Sequence, residues 1–215
     1  MTSELIALLP AFVFMTIVII HLAKKSGLVV WLFTLQSAAI VILLAQSAIS
    51  HLSIPLIATV IAIAIVKLIV APYFLSRLIK THTLRFSSNT YLSGPVTLIV
   101  LTLIIALSSS YLFKPLAVIA PGSSTVLFLS IASLFSALFL VINRQGALSQ
   151  MIGILSMENS IMLLALTAGL EQSPSLELGV TFDLFIWICV AYIFLSLMYR
   201  QFGTLDVTQM RKLKD

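Results

Sequence analysis

Apolar residues run along this chain in seven long stretches, at about 4–23, 28–50, 54–79, 93–113, 123–143, 147–170 and 177–200. Crossing roughly 30 Å of hydrocarbon takes about 20 residues of helix, so each stretch is long enough to span a bilayer. The breaks between them carry turn and helix-start chemistry. Lys24-Lys25-Ser26-Gly27 separates the first two stretches, Pro55 sits at the start of the third and Gly94-Pro95 opens the fourth. Pro115 and Pro121-Gly122 bound the loop before the fifth. Alternation strong enough for membrane-spanning strands is absent. The pattern predicts an all-α, polytopic membrane protein with seven transmembrane helices, read as a single transmembrane domain over residues 1–215.

Composition agrees with that class. Hydrophobic residues make up 60% of the 215 and charged residues 9%, against about 25% charged in a soluble domain. The few charges are placed asymmetrically. Lys24, Lys25, Arg77, Lys80, Arg85, Arg144, Arg200, Arg211, Lys212 and Lys214 all fall on one side of the seven-span arrangement, whereas Lys114 alone falls on the other. Positive residues mark the cytoplasmic side, which puts the N-terminus outside and the C-terminus in the cytoplasm. Orientation and anionic lipid thus account for the net charge of +5, and a nucleic-acid partner is not expected. The single cysteine, Cys189, rules out an intrachain disulfide and a thiolate-ligated cluster. No basic region precedes the first apolar stretch, so it reads as a retained helix rather than a removed signal. The tail over 203–215 mixes Leu205, Val207, Met210 and Leu213 with basic residues, and suits either the lipid interface or a partner surface.

Three ionisable residues interrupt the apolar stretches: Lys67, Glu158 and Asp183. Such groups are costly in lipid, and usually face the protein interior or a water-filled path. Lys67 lies twelve residues after Pro55 and Glu158 twelve before Leu170, so both sit ~18 Å from the outer boundary, near the midplane. Asp183, six residues after Glu177, lies ~9 Å from it. Pro72 follows Lys67 by five residues. It has no N–H for the carbonyl of Leu68, and therefore predicts a helix break and a free carbonyl beside the lysine. Two uses of these charges are open. Lys67 and Glu158 form either a static ion pair that fixes packing, with Asp183 bonded to a neighbouring subunit, or stations on a proton path.

Other positions suit packing or solvation. Glu4, Glu171 and Glu177 lie at outer helix ends. His21, His51 and His82 fall on the inner, outer and inner sides, which does not give facing haem ligands at one depth. Small residues form one stripe through Ser130, Ser133 and Ser136 and another through Ser149, Gly153, Ser156 and Ser160, as expected where membrane helices approach closely. Gln36 and Gln46 are candidates for bridging helices. Phosphate-binding loops and nucleophile–base motifs are absent, so the chain is not expected to be catalytic alone, or to hold a cofactor or metal.

The segment Gln150-Met151-Ile152-Gly153-Ile154-Leu155-Ser156-Met157-Glu158-Asn159-Ser160 resembles the Ile-Gly-x-x-x-Met-Glu-Asn-Gly stretch of the hydrogenase-4 component E family, with Ser160 in place of the glycine. Phe202-Gly203-Thr204-Leu205-Asp206-Val207 is similar to that family's closing Gly-Thr-Leu-Asp-Val, and Lys67 with Pro72 is similar to its Lys-x-x-x-x-Pro helix. The last two helices and tail also resemble the K subunit of respiratory complex I. That small protein carries a membrane glutamate on each of two successive helices. Glu158 stands near the first, displaced by about one turn, and Asp183 near the second. More distantly, these helices resemble the C subunit of multisubunit Na⁺/H⁺ antiporters.

The resemblance implies a membrane subunit of an energy-converting [NiFe] hydrogenase of the formate hydrogenlyase type, in a bacterial or archaeal cytoplasmic membrane. It implies five N-terminal helices over 1–143, a K-like pair over 147–200 and a cytoplasmic tail over 203–215. Partners would be antiporter-like membrane subunits and a peripheral hydrogenase module, with the nickel-iron and iron–sulfur centres in those partners. Lys67, Glu158 and Asp183 would then contribute to a lateral charged axis. Two other settings are a Na⁺/H⁺ antiporter-like or inorganic-carbon uptake assembly without hydrogenase, and a stand-alone seven-helix transporter. Membrane transporters often show two related halves, and none is visible here.

Overall fold

The computed structural model describes residues 3–50, 54–81, 90–118, 124–169 and 174–202. Among them are eight α-helices: α1 (Ser3–Leu22), α2 (Ser26–Ser50), α3 (Ile54–Ala64), α4 (Ala71–Thr81), α5 (Gly94–Ser108), α6 (Ser124–Asn143), α7 (Ala147–Thr167) and α8 (Pro174–Phe202). A π-helical segment, Ile65–Val70, joins α3 to α4 without a break. Four rods are long and apolar enough to cross a membrane: Ser26–Ser50, Ile54–Lys80, Ser124–Asn143 and Ala147–Thr167. Leu8–Leu22, Gly94–Ser108 and Phe185–Gln201 are apolar but shorter. Their outward faces present large apolar side chains such as Trp31, Ile69, Ile142 and Phe194, the surface expected against lipid rather than water. The chain is a multi-pass membrane protein.

The fourth stretch departs from a continuous helix over 93–113. Ser93 and Pro95 start α5 in the usual way, proline sitting in the first turn where its missing N–H does no harm. The helix then ends at Ser108 and a 3₁₀ segment follows, Tyr111–Val118. The cause is local. Ser108 and Ser109 turn their hydroxyls onto the carbonyls of Ile104 and Ala106, competing with the helix ladder, and Pro115 precludes an α-helical continuation.

α6 and α7 form a hairpin joined by residues 144–146, and theirs is the most extensive contact in the fold. The serine stripes explain the fit. Ser130, Ser133 and Ser136 on α6 and Ser149, Ser156 and Ser160 on α7 are all fully buried. A Cβ added to Gly153 would lie 2.8 Å from Val141 Cγ2 and 3.1 Å from Val141 N, so only glycine allows the helices to approach this closely. At the far end, Gly169 closes α7 with φ 62°, a left-handed conformation that favours glycine. α1 and α2 pack against this hairpin, and the α3–α4 rod packs against α2. α8 sits on α3 and α4, with Phe74 edge-on to Tyr192 at 5.2 Å between centroids, and touches α7 only slightly.

Two apolar cores result. One holds Ile20, Phe33, Leu75, Leu140, Ile152 and Leu155. The other holds Ile17, Ile40, Ile63, Ala137 and Leu163. Between them, on each contributing helix, lies a polar layer.

Replacing Gly153 with leucine is expected to force α6 and α7 apart. Gly153→Ala should cost about 1–3 kcal/mol by overpacking, seen as a lower melting temperature of the detergent-solubilised protein. Adding Val141→Ala removes the Cγ2 clash and should restore part of the loss.

Candidate functional site

The polar layer is built around Lys67. Its position, between Ile63 of one core and Ala71 of the other, is fully buried at 0% exposure. The lysine lies in the π-helical segment, where the N–H of Ala71 bonds the carbonyl of Val66, five residues back. Pro72, one residue further on, offers no N–H and crowds the carbonyl four residues back. The rod is not interrupted there. The wider turn takes up the constraint ahead of the proline, and π turns of this kind are frequent at functional sites.

Two side chains of α7 receive the ammonium. Lys67 Nζ lies 2.8 Å from Glu158 Oε1 and donates to Asn159 Oδ1 at 2.6 Å. Asn159 in turn donates from Nδ2 to Ser37 Oγ of α2 at 3.0 Å. Three helices are thus tied at one level. Lys67 approaches the carboxylate at ion-pair distance without hydrogen-bond alignment, and neither carboxylate oxygen has an aligned donor among the described residues. Both oxygens are buried although the Glu158 side chain is 19% exposed. Its stem meets the surface while its charge stays inside.

Asp183 lies on α8, but its side chain is outside the described residues, as are those of Glu4 and Glu177. Glu171, His51, His82 and the tail over 203–215 also lie outside them. Cys189 is a partly exposed free thiol. Among the described residues no group of His, Cys, Asp and Glu is placed to hold a metal ion.

The second polar assembly lies at the end of the bundle where α1 and α6 stop and α5 and α7 begin. Arg144 is 2% exposed, and its Nη2 reaches the carbonyls of Ile20 and His21 at 2.8 Å each and of Ala23 at 3.2 Å. A cation here satisfies carbonyls that α1 leaves open and offsets the negative end of its dipole. Burial lowers its pKa to about 10, so it remains charged at neutral pH. Asn143 accepts from the backbone N–H of Leu92 at 3.0 Å and donates to Thr97 Oγ1 at 3.2 Å, which anchors α5. Gln150 Nε2 donates to the Arg144 carbonyl at 3.0 Å. His21 places Nε2 3.0 Å from the Ser136 carbonyl and stacks on Phe139 at 5.0 Å, a packing role rather than a ligand's.

Sequence reasoning did not single out Asn159, Asn143 or Arg144 for these roles. For Asn159 a signal exists: an amide beside a glutamate, deep in an apolar stretch, is there to bond a neighbour. For Arg144 the charge count gave only sidedness, and its burial depends on helices far apart in sequence.

The pair calls for a double-mutant test. Lys67→Met alone should destabilise the protein by about 3–5 kcal/mol, because it strands a buried carboxylate. Lys67→Met with Glu158→Gln should cost clearly less than the two single changes summed. Additivity, measured by thermal or denaturant unfolding in detergent, would show that the two groups are not coupled.

With this geometry in view, similarity to known proteins becomes informative. Residues 125–215 match the family described as NADH-ubiquinone/plastoquinone oxidoreductase chain 4L, a region that includes Glu158, Asn159 and Asp183. Over 208 residues the chain is 28% identical to an uncharacterized protein of Mycobacterium tuberculosis, covering 90% of this chain and 93% of that one. No solved structure matches. The carboxyl-terminal part, from α6 through α8, is thus similar to a membrane subunit of complex I.

Proposed function

We propose that this chain is a non-catalytic membrane subunit of an energy-converting complex of the complex I type, with the Lys67–Glu158 pair as a station on its proton-translocation path. The observation that carries the proposal is the similarity to chain 4L over 125–215, a segment whose Glu158 faces a wholly buried ammonium. Transfer of one proton from Lys67 Nζ to Glu158 Oε1 converts an ion pair into a neutral pair. No net charge moves through lipid in that step. Asn159 holds Nζ in place, and the π turn fixes where the lysine enters. Asp183 supplies a further carboxyl nearer the opposite end of α8 from Arg200.

The finer assignment is to a [NiFe] hydrogenase. It rests on the Met157-Glu158-Asn159 and Gly203-Thr204-Leu205-Asp206-Val207 motifs. In that setting the chain links antiporter-like subunits, and nickel-iron and iron–sulfur chemistry stays in peripheral partners. The N-terminus lies outside and the Arg144 end faces the cytoplasm, in keeping with the placement of the basic residues.

A static role has one specific observation in its favour. Lys67 already contacts two acceptors, Glu158 and Asn159, an arrangement that would also serve packing alone. Substitution separates the two. In membranes containing the assembled complex, Glu158→Gln should leave subunit composition intact and reduce coupled proton movement by about tenfold or more. Unchanged proton movement would end the relay role, and failure to assemble would favour the static one. Gentle detergent purification should bring down other membrane subunits and, for a hydrogenase, a nickel-containing chain.

A further inference from the structure

Hydroxyls within membrane helices commonly donate back to a carbonyl of the preceding turn. Thr59, Thr102, Ser108, Ser130, Ser160 and Thr167 do so here. Ser133, Ser136, Ser149 and Ser156 are equally buried, yet their hydroxyls meet no partner among the described residues. Gln36 is more telling. It is 0% exposed, and both its amide oxygen and its amide nitrogen are unpartnered. His21 Nδ1 is a third buried atom of this kind. Polar atoms left dry in an apolar interior are costly, and buried water typically satisfies them with about three hydrogen bonds per molecule.

Packing brings these atoms together. The contact of Gly153 with Val141 and that of Ser130 Oγ with Thr167 Oγ1, at 3.0 Å, set the register of the α6–α7 hairpin. In that register Ser136 faces the turn of α7 between Ser156 and Ser160, level with Glu158. Ser37 bonds Asn159, which puts the adjacent Gln36 at the same level from α2. Phe33 and Ile40, about one turn to either side of Gln36, pack in the two cores that hold Ile20 and Ile17 of α1 and Leu155 and Leu163 of α7. His21 reaches the Ser136 carbonyl with its ring, while its own carbonyl is held by Arg144. Ser149 precedes Ser156 by seven residues, ~10 Å closer to the Arg144 end. The unpartnered atoms therefore form a column from the Lys67–Glu158 level to that end.

We propose that the interior between α1, α2, α6 and α7 binds a file of water on Gln36, His21 and these four serines, and that protons reach the Lys67–Glu158 pair along it from the Arg144 end. The inference rests on the proton-path role proposed above for the pair. Each hop breaks one O–H bond and forms the next, so one proton enters at the Arg144 end and one arrives at the pair, with no other reactant. Amide and hydroxyl groups suit this lining because each both donates and accepts. None of them traps the proton as a charged group would.

Hydroxyl-radical footprinting by X-ray radiolysis tests the file on the full chain, purified with its native partners. Radicals arise from water where it sits, so a buried side chain is oxidised only beside bound water. His21 and Phe33 should be oxidised at least several-fold faster, after correction for intrinsic reactivity, than Leu44 and Leu56, which are buried away from the column. Equal rates would overturn the proposal without touching the pair. Gln36→Leu should lower His21 oxidation and slow proton movement while subunit composition stays intact. Loss of oxidation with unchanged proton movement would overturn the file as a proton route. If Glu158→Gln leaves proton movement unchanged, the pair loses its role even where the footprint is wet.

Discussion

A lysine ammonium without access to water needs a counter-charge, and much of this structure can be understood from that need. Lys67 is held in the interior by a carboxylate and an amide from one helix, and the amide is itself held by a serine from another. Because one charge requires partners on α7 and α2, the third rod cannot rotate or slide without stranding it. The ion pair thus sets register. The apolar cores on either side then supply the packing area, and they meet the polar layer at matching positions on each helix. In hydrocarbon there is little hydrophobic force between helices, so close approach of small residues and polar bonding carry association. The α6–α7 hairpin supplies the first through Gly153 and the serines, and the Lys67 network supplies the second.

The same constraint connects structure to function. A buried pair at 2.8 Å has two charge states of the same net charge, ionic and neutral, differing by one proton's position. The π turn that carries Lys67 is the local irregularity in an otherwise regular rod, and it falls where a small movement of the lysine has the largest consequence. Arg144 does the opposite work at the end of the bundle. It is a permanent cation on the carbonyls of α1, and it fixes where α1, α6 and α7 converge.

Much of this was legible in the sequence, for physical reasons that differ by element. The seven apolar stretches stand out because a helix in lipid must be apolar along its whole length. Lys67 and Glu158 stand out because a charge in such a stretch has to be explained, and counting helix rise placed them at one depth before any coordinates were consulted. The fourth stretch was less legible: hydropathy is blind to the serine hydroxyls at 108 and 109 that end α5 early. Pro72 signalled an irregularity but not its form, since a free carbonyl and a π turn answer the same missing N–H. Burial of Arg144 and isolation of the Gln36 amide depend on contacts between distant helices, which no local pattern records. Asp183 remains known from sequence position alone.

Infrared difference spectroscopy of the complex during turnover addresses the central claim most directly. If Glu158 exchanges a proton with its surroundings, a protonated-carboxyl band should appear and disappear with turnover, and Glu158→Gln should abolish it while the complex remains assembled. A spectrum with no such band, or one unchanged by Glu158→Gln, would contradict the account and leave the Lys67–Glu158 pair as a structural tie.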